Sequence, residues 1–209
     1  MADHIFDFHE TASAFRFAST WYRSLVGAVD DHRWDQAALG DWSVRELVVH
    51  TARAYKTVVE YLGGDVHDET QIYSAAGYYR TVLAEETPHL HISARAKREA
   101  VAETDPVAMI DEWAKKAEDL VARSAADATV HLFVGEMALD QYLATRVVEL
   151  VVHGLDLAAA IDLPTPAPGG AARVAIEVLL DLAPSEDVSS ILCLMTGRAA
   201  SLPLTHVLD

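Results

Sequence analysis

The sequence is short of basic residues, of cysteine and of uninterrupted apolar runs. Its 16 lysines and arginines face 32 aspartates and glutamates, a formal charge of −16. Such a balance argues against nucleic acid and anionic membrane surfaces as main partners. The one cysteine, Cys193, excludes an intrachain disulfide and suits a reducing compartment. The opening Met1-Ala2-Asp3-His4 lacks the basic-then-apolar order of a secretory signal, so a cytoplasmic location is expected. The longest apolar run, about residues 147–161, is interrupted by Glu149, His153 and Asp156, so no membrane span is expected. Neither Gly-x-Ser-x-Gly nor a phosphate-binding glycine loop occurs, which leaves nucleophilic-triad readings without a supporting pattern.

What is present is a chain of 209 residues, 51% hydrophobic and 23% charged, long enough for one sizeable core. Apolar residues at helical spacing (Ile5, Phe8, Phe15, Phe17, Trp21, Leu25, Val29) predict a helix over 5–29. A polar turn segment containing Gly40, Trp34 and Trp42 follows. Ser43-Val44-Arg45-Glu46 fits a capping box and starts a helix running to about Leu62, stopped by Gly63-Gly64. Residues 65–92 read as loop with a short helix, and 92–103 as an exposed helix. Thr104-Asp105-Pro106 opens a helix to about Ser124. Residues 129–133 are β-prone, Gly135 breaks them, and a central helix spans about 138–161. Prolines and glycines between 163 and 170 predict a linker, followed by helices over 171–182 and 186–199. The expected architecture is all-α with four long helices.

An acidic residue stands four before a histidine at Glu46–His50, Glu85–His89, Asp127–His131 and Glu149–His153. Pro88 interrupts the second pair, a loop is expected at the third, and the capping box occupies Glu46. Glu149 and His153 remain, on one face of the central helix and inside a Val/Leu stripe. Glu46-Leu-Val-Val-His50 echoes Glu149-Leu-Val-Val-His153, which makes His50 the natural third group. Together His50, Glu149 and His153 make a two-histidine, one-carboxylate set that leaves a coordination position open. Zinc suits these donors, as do nickel and iron(II). Asp156 is placed to hold a ligand's second ring nitrogen. Arg146 either binds an anionic group at the site rim or makes a surface ion pair. The alternative for the histidines is a core role, satisfied by hydrogen bonds.

Gly40-Asp41-Trp42-Ser43-Val44-Arg45-Glu46-Leu47-Val48-Val49-His50 and Arg146-Val147-Val148-Glu149-Leu150-Val151-Val152-His153-Gly154-Leu155-Asp156 resemble the DinB-like superfamily. The nearer likeness is to its mycothiol-dependent maleylpyruvate isomerase N-terminal branch, over most of residues 5–165. The resemblance implies a four-helix bundle, often dimeric, over residues 1–163, with 164–209 as a short C-terminal helical extension. It also implies a divalent metal, typically zinc, held by His50, Glu149 and His153. A small thiol, mycothiol or similar, is then the cosubstrate attacking an electrophile. Cys193 has no part in that chemistry and is expected as a small core residue. The isomerase proper carries a further C-terminal domain, for which the 45 or so residues after the bundle leave no room.

Three functions compete on these grounds. A thiol-using transferase or isomerase needs a pocket beside the metal, with Trp42, Tyr73, Tyr78 and Tyr79 as candidate walls. A non-catalytic binding or regulatory module needs only the bundle. A metal-dependent hydrolase needs a general base, for which Glu46 is the one candidate.

Overall fold

The computed structural model describes residues 3–64, 70–84 and 88–198, with only the backbone for 88–93. The described residues are mostly helical. Helix α1 spans Phe8–Val26, with the Asp7 carboxylate accepting from the His9 and Glu10 N–H groups. It buries Phe15, Ala18, Trp21, Tyr22 and Leu25. Ile5 and Phe17, counted in the expected apolar stripe, are both exposed. Phe17 instead lies beneath the Arg16 guanidinium. The polar segment after α1 holds an unexpected antiparallel pair, β1 (Ala37–Leu39) and β2 (Trp42–Ser43). Gly40 makes the turn between them at φ 56°.

The capping box forms as the sequence predicts. Glu46 N–H donates to Ser43 Oγ at 3.2 Å, and Ser43 N–H donates to Glu46 Oε2 at 2.8 Å. The helix it starts is divided at Ala52 into α2 (Val44–Thr51) and α3 (Arg53–Tyr61). Ala52 keeps helical angles, so the division is a local irregularity rather than a turn. Strand β3 (Gln71–Ile72) and helix α4 (Ala75–Leu83) follow, α4 being capped by the Ser74 hydroxyl. Helix α5 covers Pro88–Ala102. It was expected to be exposed, yet it packs on α2 and buries Ala96 and Ala100. Helix α6 (Pro106–Arg123) begins at Asp105, whose side chain accepts from Ala108 N–H.

The β-prone segment is strand β4 (Thr129–Leu132), which forms a hairpin with β5 (Gly135–Ala138). β3 pairs with β5 in parallel, giving a three-stranded sheet of order β3-β5-β4. Gly135 does more than break a strand. Its φ of 136° and the Thr70 carbonyl against its Cα exclude any side chain there.

Helix α7 spans Leu139–Ala160 and is the centre of the packing. It touches α1, α2, α3, α4 and α8. A helix covered on several sides must be apolar on several faces, which is why its sequence reads almost continuously hydrophobic. Helix α8 (Gly169–Leu182) packs on α7 and α1, and α9 (Ser185–Met195) follows. α9 ends at Met195, short of the expected 199. Cys193 is half-buried rather than in the core, because α9 leaves Leu192, Leu194 and Met195 in solvent. No helix among the described residues is long and apolar enough to cross a membrane.

Candidate metal centre

His50 lies near the end of α2, about two turns from its cap, and Glu149 and His153 lie one turn apart in α7. α2 packs on α7, which brings the three side chains together. Each offers one ligand atom, and these atoms all lie within 4.8 Å of one another. Glu149 Oε2 is 3.4 Å from His153 Nε2. Two donors each about 2.0–2.2 Å from one tetrahedral zinc would have nearly that separation. The His50 and His153 rings meet edge to face at 5.2 Å. On the other side of His153, Asp156 Oδ2 lies 3.3 Å from Nδ1. Nδ1 is thus turned to Asp156 and Nε2 to Glu149, so the two carboxylates fix the orientation of the ring.

Burial lowers the His50 imidazole to about 3, with the neighbouring His153 adding to the effect. His50 is therefore neutral, and its Nδ1 is buried with no hydrogen-bond partner among the described residues. Burial also pulls His153 down, but the bonds to Asp156 and Glu149 prevail and hold it at about 9. For Glu149, burial works against the charge. The His153 bond and the Arg146 guanidinium outweigh it and hold the carboxyl well below the usual range. A neutral imidazole with an unused nitrogen, an ionised carboxylate and a second imidazole oriented by a carboxylate fit a divalent cation.

The residues around the triad correct several expectations. Arg146 lies neither at a rim nor in a surface pair. It is buried, its guanidinium carbon 4.8 Å from the Tyr142 ring centre and 5.8 Å from that of Tyr78. Its Nε donates to Thr145 Oγ1 at 3.0 Å, and no carboxylate among the described residues lies within ion-pair distance. Burial opposes its charge, and Tyr142, Tyr78 and Glu149 more than offset that, so it stays cationic. Of the candidate walls, Trp42 packs against His50 at 4.7 Å between ring centres. Tyr73 is 78% exposed and takes no part. Tyr79 is buried, and the partly buried Tyr78 ring packs edge-on against it at 5.6 Å between centres. Tyr79 is not merely apolar lining, because its hydroxyl donates to Glu149 Oε1 at 3.0 Å. Nothing local in the sequence signals that bond, which joins residues 70 positions apart.

The competing pairs fall away. Glu46 stays in its capping box. His131 is on β4 and faces Glu136 at 3.1 Å rather than Asp127. The Glu85–His89 pair lies outside the described side chains. Two surface clefts have volumes of about 350 and 310 Å³, and neither is lined by His50, Glu149 or His153. The triad meets solvent at its own edge, where the His153 side chain is 16% and Glu149 24% exposed.

The described residues are mostly helical and bring together a His/Glu/His set of the kind that could hold a metal ion. The family model for the mycothiol maleylpyruvate isomerase N-terminal domain matches residues 15–158, and the chain belongs to that family. The matched stretch contains His50, Glu149, His153 and Asp156. Comparison with curated proteins and with solved structures gave no match.

Proposed function

We propose that the protein is a metal-dependent enzyme that uses a low-molecular-weight thiol of the mycothiol type against a small electrophile. The reaction is either transfer of the thiol or isomerisation by addition and elimination. The observation that carries this reading is the triad itself, three convergent donors with no fourth grouped with them among the described residues, at an edge open to solvent. His50, Glu149 and His153 hold the cation, zinc first, with nickel or iron(II) suited to the same donors. When bound, such a cation stabilises a thiolate over its thiol near neutral pH. Asp156 keeps the His153 ring in the orientation that turns Nε2 to the site. Trp42 covers one face of His50 and keeps water from it. Arg146 keeps Glu149 ionised and complements an incoming anion through its field rather than by contact.

On this reading α1, α2 with α3, α6 and α7 form the four-helix bundle within residues 1–163, and 164–209 is an extension packed on it. A cytoplasmic homodimer is the expected setting. A second reading is a non-catalytic metal-binding or regulatory module that keeps the triad with no substrate beside it; the clefts of about 350 and 310 Å³ are lined by other residues. Incubation of zinc-loaded protein with a mycothiol-type thiol and a panel of small electrophiles separates the two. Thiol consumption that requires zinc and disappears in His153→Ala supports the enzyme. Zinc uptake without any thiol consumption supports the module.

A further inference from the structure

Tyr79 is on α4, a helix of nine residues that packs on α7 and reaches the triad through this side chain. Its ring is buried against Tyr78, with centres 5.6 Å apart. Its hydroxyl lies 3.0 Å from Glu149 Oε1 and 3.1 Å from the Thr145 carbonyl oxygen. The Thr145 carbonyl oxygen can only accept, and towards both neighbours the phenol is the donor. Its single proton goes preferentially to the charged acceptor, where the hydrogen bond is the stronger. The Glu149 oxygens are thereby divided. Oε1 is taken by Tyr79, and Oε2 is the one facing His153 Nε2.

We propose that Tyr79 is a positioning residue that holds Glu149 as a one-oxygen ligand, directing Oε2 to the cation and keeping open the position a cosubstrate needs. A carboxylate free to rotate would offer both oxygens and compete with the incoming thiol for that position. The assignment rests on the metal-site reading above, because without a cation there is no position to keep open.

The test compares the full-length wild type with Tyr79→Phe and Tyr78→Phe. Tyr78→Phe removes the neighbouring hydroxyl on the same helix, from a partly buried ring packed against Tyr79. Zinc affinity is measured by competition with a chromophoric chelator. Cobalt-loaded protein is then titrated with 2-mercaptoethanol, following the sulfur-to-cobalt absorption band. Tyr79→Phe is expected to bind zinc about 10–100-fold more weakly at unchanged stoichiometry, while Tyr78→Phe stays near wild type. Cobalt-loaded Tyr79→Phe is also expected to need more thiol to raise the band. Wild-type zinc affinity in Tyr79→Phe, or an equal loss in both variants, overturns the proposal and leaves the metal site standing. Unchanged thiol demand alongside weakened zinc binding overturns the one-oxygen role. A wild type that takes up neither metal overturns the underlying reading and this proposal with it.

Discussion

The Trp21 indole lies directly over the Cα of Gly154, where α1 crosses α7 one residue past His153. A methyl group at position 154 would run into the Trp21 ring. The glycine is therefore needed for the close approach of two helices rather than for any backbone conformation, since it sits inside α7. Gly154→Ala should destabilise the protein by about 1–3 kcal/mol through overpacking, less up to about 1 kcal/mol of helix propensity. Urea unfolding followed by circular dichroism measures the difference.

His153 gives the zinc-free protein a pH dependence with a definite sign. Its folded value is about 9, above the ordinary 6.5. The stability it contributes is fully present below pH 6.5 and is lost as pH rises through about 9. Zinc binding requires that proton to leave, so affinity should rise about tenfold per pH unit across the same window and level off above it. His50 is neutral and Glu149 ionised throughout, so neither adds a second step. Zinc affinities and zinc-free melting temperatures between pH 6 and 10 should move in opposite directions.

Asp156→Asn keeps the shape beside His153 Nδ1 and removes the charge. It should weaken zinc binding by about 10–100-fold and lower the His153 pKa in the zinc-free protein. Metal competition and a proton NMR titration of the imidazole test both.

Much of this centre is legible in the sequence because its parts are local. Glu149 and His153 are related by one helical turn, and the Ser43–Glu46 capping box announces where the helix bearing His50 begins. The remainder depends on tertiary contact. Nothing near Tyr79 distinguishes it from Tyr73 or Tyr78, yet packing of α4 on α7 makes it a partner of Glu149 and leaves Tyr73 in solvent. Arg146 looks like a surface residue by charge. It is buried because Tyr78 and Tyr142 supply ring faces and Thr145 and Thr57 supply oxygens. Strand β3 is two residues long and pairs with β5 across more than 60 positions, too short for any period to reveal. Ala52 interrupts its helix without the glycine or proline that would mark such a break.

Glu46 separates a hydrolase from the thiol-using enzyme. Glu46→Ala removes half of the capping box and should cost about 0.5–2 kcal/mol of stability. It should leave zinc content and thiol chemistry unchanged, because the carboxylate faces the Ser43 N–H. Loss of activity in a folded, zinc-replete Glu46→Ala protein would restore Glu46 as a base.

The most direct test of the account is the metal content of untagged protein by mass spectrometry, beside Glu149→Ala and His153→Ala. The account predicts about one zinc per wild-type chain and its loss from both variants, which leave two protein donors each. No metal in the wild type even after incubation with zinc, or full zinc retention by the variants, would contradict it.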